Sequence, residues 1–251
     1  MSASALSLFI FALVIGGILL GSWLRNALPH HHLSKDSQDA VRLGVGLIST
    51  IAALVLGLLI SSAKSTFDTQ SSQVKQITTD IILLDTLLAE YGREALPLRR
   101  EIRSAIGPFV DRLWHEKRVT TAAPFASVAE AEKVYQDIQA LAPQSDVQKS
   151  LQARAVQIST DLAQTRLLLF AETGNSIPAP FIAILAFWLV IIFASYSLFV
   201  KMNVTTFLCL ALFALSASCA LYLILELSEP FSGLMMIPSA PLRDALGPIV
   251  S

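Results

Sequence analysis

Four long runs without charge divide the chain into two apolar ends and a polar middle. The first run extends from Ala5 to Leu24, and the second, Leu43 to Ala63, lies between Arg42 and Lys64. Beyond the middle, Ile177 to Val200 and Val204 to Leu225 repeat the pattern, with Lys201 between them to mark an interfacial turn. Each run is close to the ~20 residues a helix needs to cross hydrocarbon. They predict four transmembrane helices, two on each side of the middle. No Lys or Arg precedes Arg25 and no small-residue cleavage pattern follows the first run, so it is read as a retained helix rather than a secretory signal.

The middle, residues 64–176, holds 13 of the 18 basic and 14 of the 19 acidic residues. It reads as a soluble domain. Val74, Ile77, Ile81, Leu84, Leu88 and Tyr91 recur at steps of three and four, which places one apolar stripe along an α-helix, and Gly92 fits its stop. A helix running unbroken from Leu43 to Tyr91 would be ~73 Å long, of which hydrocarbon takes only ~30 Å. Ser127-Val-Ala-Glu130 has the form of a capping box and opens a predicted helix carrying Val134, Ile138 and Leu141, which Pro143 ends. A last helix from about Ser145 shows Leu151, Ala155, Ile158, Leu162, Thr165 and Leu169 before Pro178 and Pro180 reset the chain. Shorter pieces, Leu98 to Ile106 and Phe109 to Glu116, are expected to be separated by Gly107-Pro108. No stretch alternates with period two long enough to argue a sheet. The predicted fold is therefore all-α: residues 1–63 as spans one and two, 64–176 as the soluble helical domain, 177–226 as spans three and four, and 227–251 as a C-terminal tail.

Composition agrees with a bilayer as solvent: 54% of residues are hydrophobic and 15% charged, against ~25% charged in an average soluble domain. A net charge of -1 supplies no basic field for nucleic acid, which is excluded as a partner on that ground. Cys209 and Cys219 lie in one apolar run and are expected to be small packing residues rather than a disulfide. Catalytic spacing is absent: the chain has no phosphate-binding glycine loop, no Cys-x-x-Cys, no metalloprotease helix motif and no Gly-x-Ser-x-Gly elbow, so no enzyme activity, cofactor or metal centre is expected. Ser61-Ser-Ala-Lys64 matches the Ser-x-x-Lys pattern only formally, and Lys64 reads as an interfacial lysine reaching for water. His30, His31 and His32 read as a solvated loop. Glu226 and Glu229 share a helix-face spacing that could attract a cation but more often marks the point where the membrane ends.

Small residues carry more information, because helices in lipid associate by close backbone approach. Gly17 and Gly21 form a Gly-x-x-x-Gly pair in span one, and Ser49, Ala53, Gly57 and Ser61 form a stripe along span two; both are expected to be helix contacts. Away from that stripe, Leu47, Ile51, Leu54 and Leu58 face lipid, a partner or the neck of a pore, and periodicity does not choose among the three.

Two segments resemble the bestrophin-like family of bacterial membrane proteins of unknown function: Gly57-Leu-Leu-Ile-Ser-Ser-Ala-Lys-Ser-Thr-Phe-Asp-Thr-Gln70 and Glu226-Leu-Ser-Glu-Pro-Phe-Ser-Gly233. Ile237-Pro-Ser-Ala-Pro-Leu-Arg-Asp-Ala-Leu246 extends the likeness. The turn Pro230-Phe231-Ser232-Gly233 is similar to the Asn-Pro-Phe-Gly turn of true bestrophins, and Leu56-Gly57 resembles their pore-lining second span. That resemblance implies a homo-oligomer, a pentamer in bestrophins, passing chloride or other anions, with Leu54 and Leu58 in the constriction and Thr50 one turn earlier. It also implies a bacterial inner-membrane location with the helical domain in the cytosol. Charge does not decide the orientation: Arg25, Lys35, Arg42 and Lys201 oppose Lys64, Lys75, Arg166 and Arg243, four against four. The acidic run of the bestrophin calcium clasp is replaced by Leu234-Met-Met-Ile237, so calcium gating is not implied. The alternative function is a non-conducting scaffold or sensor that presents the helical domain to a protein partner.

Overall fold

The computed structural model describes residues 3–29, 35–115, 132–172 and 177–245. The expected helix start at Ser127 and the three histidines lie outside these residues. Among the described residues every regular element is helical: α1 (Ala3–Ala27), α2 (Lys35–Tyr91), α3 (Leu96–His115), α4 (132–139), α5 (Asp146–Glu172), α6 (Ala179–Phe199), α7 (Val204–Leu227) and α8 (Ala240–Arg243). Four of these, α1, α2, α6 and α7, are long and apolar enough to cross a membrane. The chain divides into two compact units, Met1–Thr66 with Ile177–Glu229, and Phe67–Ser176 with Pro230–Ser251.

In the first unit α1 packs on α6 and α7. Gly17 faces Val190 of α6, and Gly21, one turn on, faces Ala194 and Ser197. Numbers rise together along both helices, so α1 and α6 run parallel. Side chains at either glycine would hold the backbones apart. Their absence lets Ser197 Oγ donate to the Ile18 carbonyl at 2.6 Å, a polar contact buried in the seam. Cys209 and Cys219 are exposed on α7, contrary to the expected packing role, because the covered face of α7 runs through Ala214, Ser218, Leu221 and Ile224.

In the second unit the stripe Val74, Ile77, Ile81, Leu84, Leu88 and Tyr91 of α2 is buried throughout, and it meets Ala155, Ile158, Leu169 and Phe170 of α5 in two apolar clusters that α3 completes. The helix stops where Gly92 takes φ 128°, a conformation that costs residues with a Cβ more than glycine. Two glutamines four apart on α5 serve helix ends. Gln148 Nε2 donates to Tyr91 O at 2.9 Å, and Gln152 Nε2 donates to Ile138 O and Leu141 O at 2.9 and 2.8 Å, so carbonyls left over at the ends of α2 and α4 are satisfied from α5.

One expected break is corrected. α3 continues through Gly107 and Pro108 as a single helix of 20 residues. Proline there gives up one backbone bond, but Ile102 and Ile106 before it and Phe109, Val110 and Leu113 after it are all buried, and keeping them on one helical face outweighs the missing donor. The second helix also starts earlier than its apolar run, at Lys35, where Asp36 in the first turn suits the positive end of the helix dipole.

Candidate functional site

Along the membrane-length part of α2 the apolar sequence divides into three faces. At 3.6 residues per turn, Val45, Ala52 and Ala63 fall together, Ser49, Ala53, Gly57 and Ser61 fall together, and Leu47, Ile51, Leu54 and Leu58 form a third group, the three directions being roughly 110–140° apart. The first group is buried. The second is open: Ala53, Gly57 and Ser61 are exposed, Ser49 is half-buried, and nothing lies within 4 Å of a Cβ built on Gly57. The third is open as well, with Leu54 65% and Leu58 71% exposed. Thr50, also exposed, donates its hydroxyl hydrogen to Gly46 O at 3.0 Å, which leaves acceptor lone pairs but no free donor. Only 11% of the most apolar stretch of α2 is buried, against 28% of those of α1 and α6 and 22% of that of α7, so α2 is the membrane-length helix that a single chain covers least.

The two small-residue motifs thus have different surroundings within one chain. Gly17 and Gly21 are filled by α6, whereas the stripe from Ser49 to Ser61 meets little of its own chain. Ser61 and Lys64 are both exposed on α2. Glu226 is buried and Glu229 exposed, and among the described residues no cluster of three His, Cys, Asp or Glu side chains is suited to a metal ion.

The turn after α7 is a structural joint. Pro230 and Phe231 are buried, Gly233 has φ 89°, and Ile237 N–H donates to Pro230 O at 2.7 Å to close the loop. Phe231 meets Trp114 edge to face, ring centroids 5.2 Å apart, while Trp114 Nε1 donates to Ile237 O at 2.8 Å. Leu242 of α8 completes the contact inside the cluster of α2, α3 and α5. The exposed ion pair of Arg243 with Asp111, 3.0 Å, adds little to this. Sequence reasoning singled out the turn from Pro230 to Gly233 by resemblance but not what it docks against, for which the isolated Trp114 was the signal. Leu242→Ala should cost about 3 kcal/mol, the middle of the range for emptying a fully buried leucine site. It should be read as raised amide hydrogen exchange across residues 230–243; unchanged exchange would mean that the tail is held by the turn alone.

Also missed was a charge cluster on the other side of α3. Asp85 of α2 accepts from Arg99 (Nε to Oδ1 3.0 Å, Nη2 to Oδ2 2.9 Å) and from Arg103 (Nη2 to Oδ2 2.8 Å). Burial pushes the Asp85 carboxyl upward, but the hydrogen bonds and charges of the two guanidinium groups outweigh it and hold the group below the usual carboxylate range. Asp80, five residues earlier on α2, is the opposite case: burial and then the nearby Asp161 carboxylate raise it, against a hydrogen bond from Gln76.

Four apolar helices of membrane-crossing length beside a second helical unit fit a multi-helix membrane protein. The chain belongs to the bestrophin-like family: the model described as "Bestrophin-like domain" matches residues 12–242. No curated protein and no solved structure matches the chain.

Proposed function

We propose that the protein is a homo-oligomeric channel of the bacterial inner membrane, passing chloride or similar anions through a pore lined by α2, and is not an enzyme. The observation that carries this reading is the threefold division of α2. A helix in a ring around a pore needs one face for its own subunit, one for a neighbour and one for the lumen. Val45, Ala52 and Ala63 serve the first, the small stripe from Ser49 to Ser61 permits close approach for the second, and Leu47, Ile51, Leu54 and Leu58 take the third, with Thr50 at the border of the second and third. Leu54 and Leu58 then form the neck, which excludes water because apolar walls offer nothing in place of an ion's hydration shell.

The same reading inserts the polar helical unit between the second and third spans, on the cytosolic side. The cytosolic side follows the bestrophin resemblance; two features support the insertion. The parallel course of α1 and α6 fits a single return crossing by α2 between them. Phe231, Ile237 and Leu242 share a core with Val74 and Leu169, which fits a tail returned by α7 to the side where the middle of the chain folds.

Leu54→Ala/Leu58→Ala in chloride-loaded liposomes tests the neck. An assembled oligomer with raised anion flux is expected, since the side chains removed are exposed and contribute little to the single chain's own packing. Flux absent from both the wild type and the assembled double variant, across several anions, would put the scaffold or sensor reading in front. That second reading draws on Ile82 and Leu83 of α2 and Leu167 and Leu168 of α5, large apolar side chains exposed on the polar unit.

A further inference from the structure

The loop from Pro230 to Ile237 sends its apolar side chains in two directions. Phe231 and Ile237 are buried, while Leu234, Met235 and Met236 are 84%, 42% and 56% exposed. Their outward position is imposed by the closed turn: Gly233 holds a positive φ, Ile237 N–H bonds to Pro230 O, and Trp114 holds Ile237 O from the other side. The tip is therefore presented by a framework fixed elsewhere.

What covers such a tip is limited by the chain itself. Leu234 stands six residues after Ser228, the C-cap of α7. Even a fully extended chain reaches only ~3.3–3.6 Å per residue, so the tip lies within roughly 21 Å of the end of the fourth membrane-length helix, and a closed turn brings it nearer. The headgroup layer alone is ~5–8 Å deep on each face of the hydrocarbon. In addition, no charged residue occurs between Glu229 and Arg243, so the segment itself carries no ionised group into a low-dielectric layer. Three adjacent large apolar side chains, held outward on an uncharged segment within reach of the bilayer, have the chemistry of an interfacial anchor.

We propose that Leu234, Met235 and Met236 insert among the headgroups and upper acyl chains of the leaflet that α7 leaves, and so fix the turn to the lipid surface. This goes beyond conduction and needs no pore; it rests only on α7 crossing the bilayer. Unbranched methionines suit a disordered lipid interface because they adapt to it without a fixed packing partner.

The test uses the full chain in liposomes, with Cys209→Ala and Cys219→Ala leaving the labelling position alone. A bimane fluorophore is attached at Met235→Cys and, in a second protein, at Leu234→Cys. Lipids carrying a nitroxide high on the acyl chain should quench both labels, with emission shifted to the blue, and aqueous iodide should quench them far less than it quenches a free bimane–cysteine adduct. Quenching by iodide as strong as in the free adduct would place the tip in water and overturn the proposal. Protection from both quenchers would place it against protein, in a second copy or elsewhere, and would overturn it equally. Neither result bears on anion flux, so failure here is separable from failure of the channel reading.

Discussion

Asp85→Ala lowers the stability of the helical unit by about 3 kcal/mol, the lower end of the range for breaking a buried ion pair. The lower end applies because Arg99 and Arg103 retain 13% and 18% side-chain exposure and keep some hydration. The loss comes mainly from what remains: two guanidinium groups that converge on one point with no anion between them. Replacing all three side chains by leucine or methionine should recover much of the loss, since an apolar contact needs no desolvation of charge. Hydrogen exchange of peptides across Leu96–His115 reads the effect, and unchanged protection in a folded Asp85→Ala protein would show that the apolar clusters alone hold α3.

The same site sets an acid limit. Asp85 has a lowered pKa in the fold, so its contribution is complete above the ordinary value of about 3.9 and disappears as pH falls from there through the folded-state value. Asp80 has a raised pKa and the opposite sign: its contribution is present below about 3.9 and is lost as pH rises through the raised value. Asp80→Asn, uncharged and of the same shape, should therefore be more stable than the wild type at neutral pH, with the gap closing on acidification. A gap that stays constant with pH would remove the titration as its cause.

Gly21→Ala is expected to separate α1 from α6 at a cost of about 3 kcal/mol, the upper part of the usual range for overpacking. The added methyl falls on the Ala194 carbonyl oxygen and within 3.1 Å of Ser197 Cβ. Backbone cannot rotate aside as a side chain can. The helices must move apart, and the Ser197 to Ile18 bond lengthens or breaks with them. Gly16→Ala is the internal control, because nothing lies within 4 Å of its Cβ. It should be neutral or slightly stabilising, alanine being the better helix former. Thermal unfolding of both proteins in one detergent makes the comparison, and equal melting of the two would mean that the seam is not closely packed in the membrane.

Most of the helices and their apolar faces were legible in the pattern of hydrophobic positions. Burial repeats every three or four residues along a helix, so Val74 to Tyr91 could be read as one stripe and Gly92 as its end, and charge-free length marked the four membrane-length segments. What covers each face was decided only by tertiary structure. Gly17/Gly21 and Ser49 to Ser61 follow the same small-residue rule, yet one set is filled by α6 and the other is open, because the rule states that a backbone can approach and not which one does. In the membrane-length helices every side is apolar, and periodicity loses the contrast that made α2 legible beyond Phe67. Pro108 stays inside α3 because burial on both sides of it outweighs one missing bond, a balance that local propensity does not contain. The contact of Trp114 with Phe231 and Ile237 joins residues more than a hundred positions apart, and Asp85 gathers two arginines from another helix. Both depend on where the chain returns, which only the assembled fold decides.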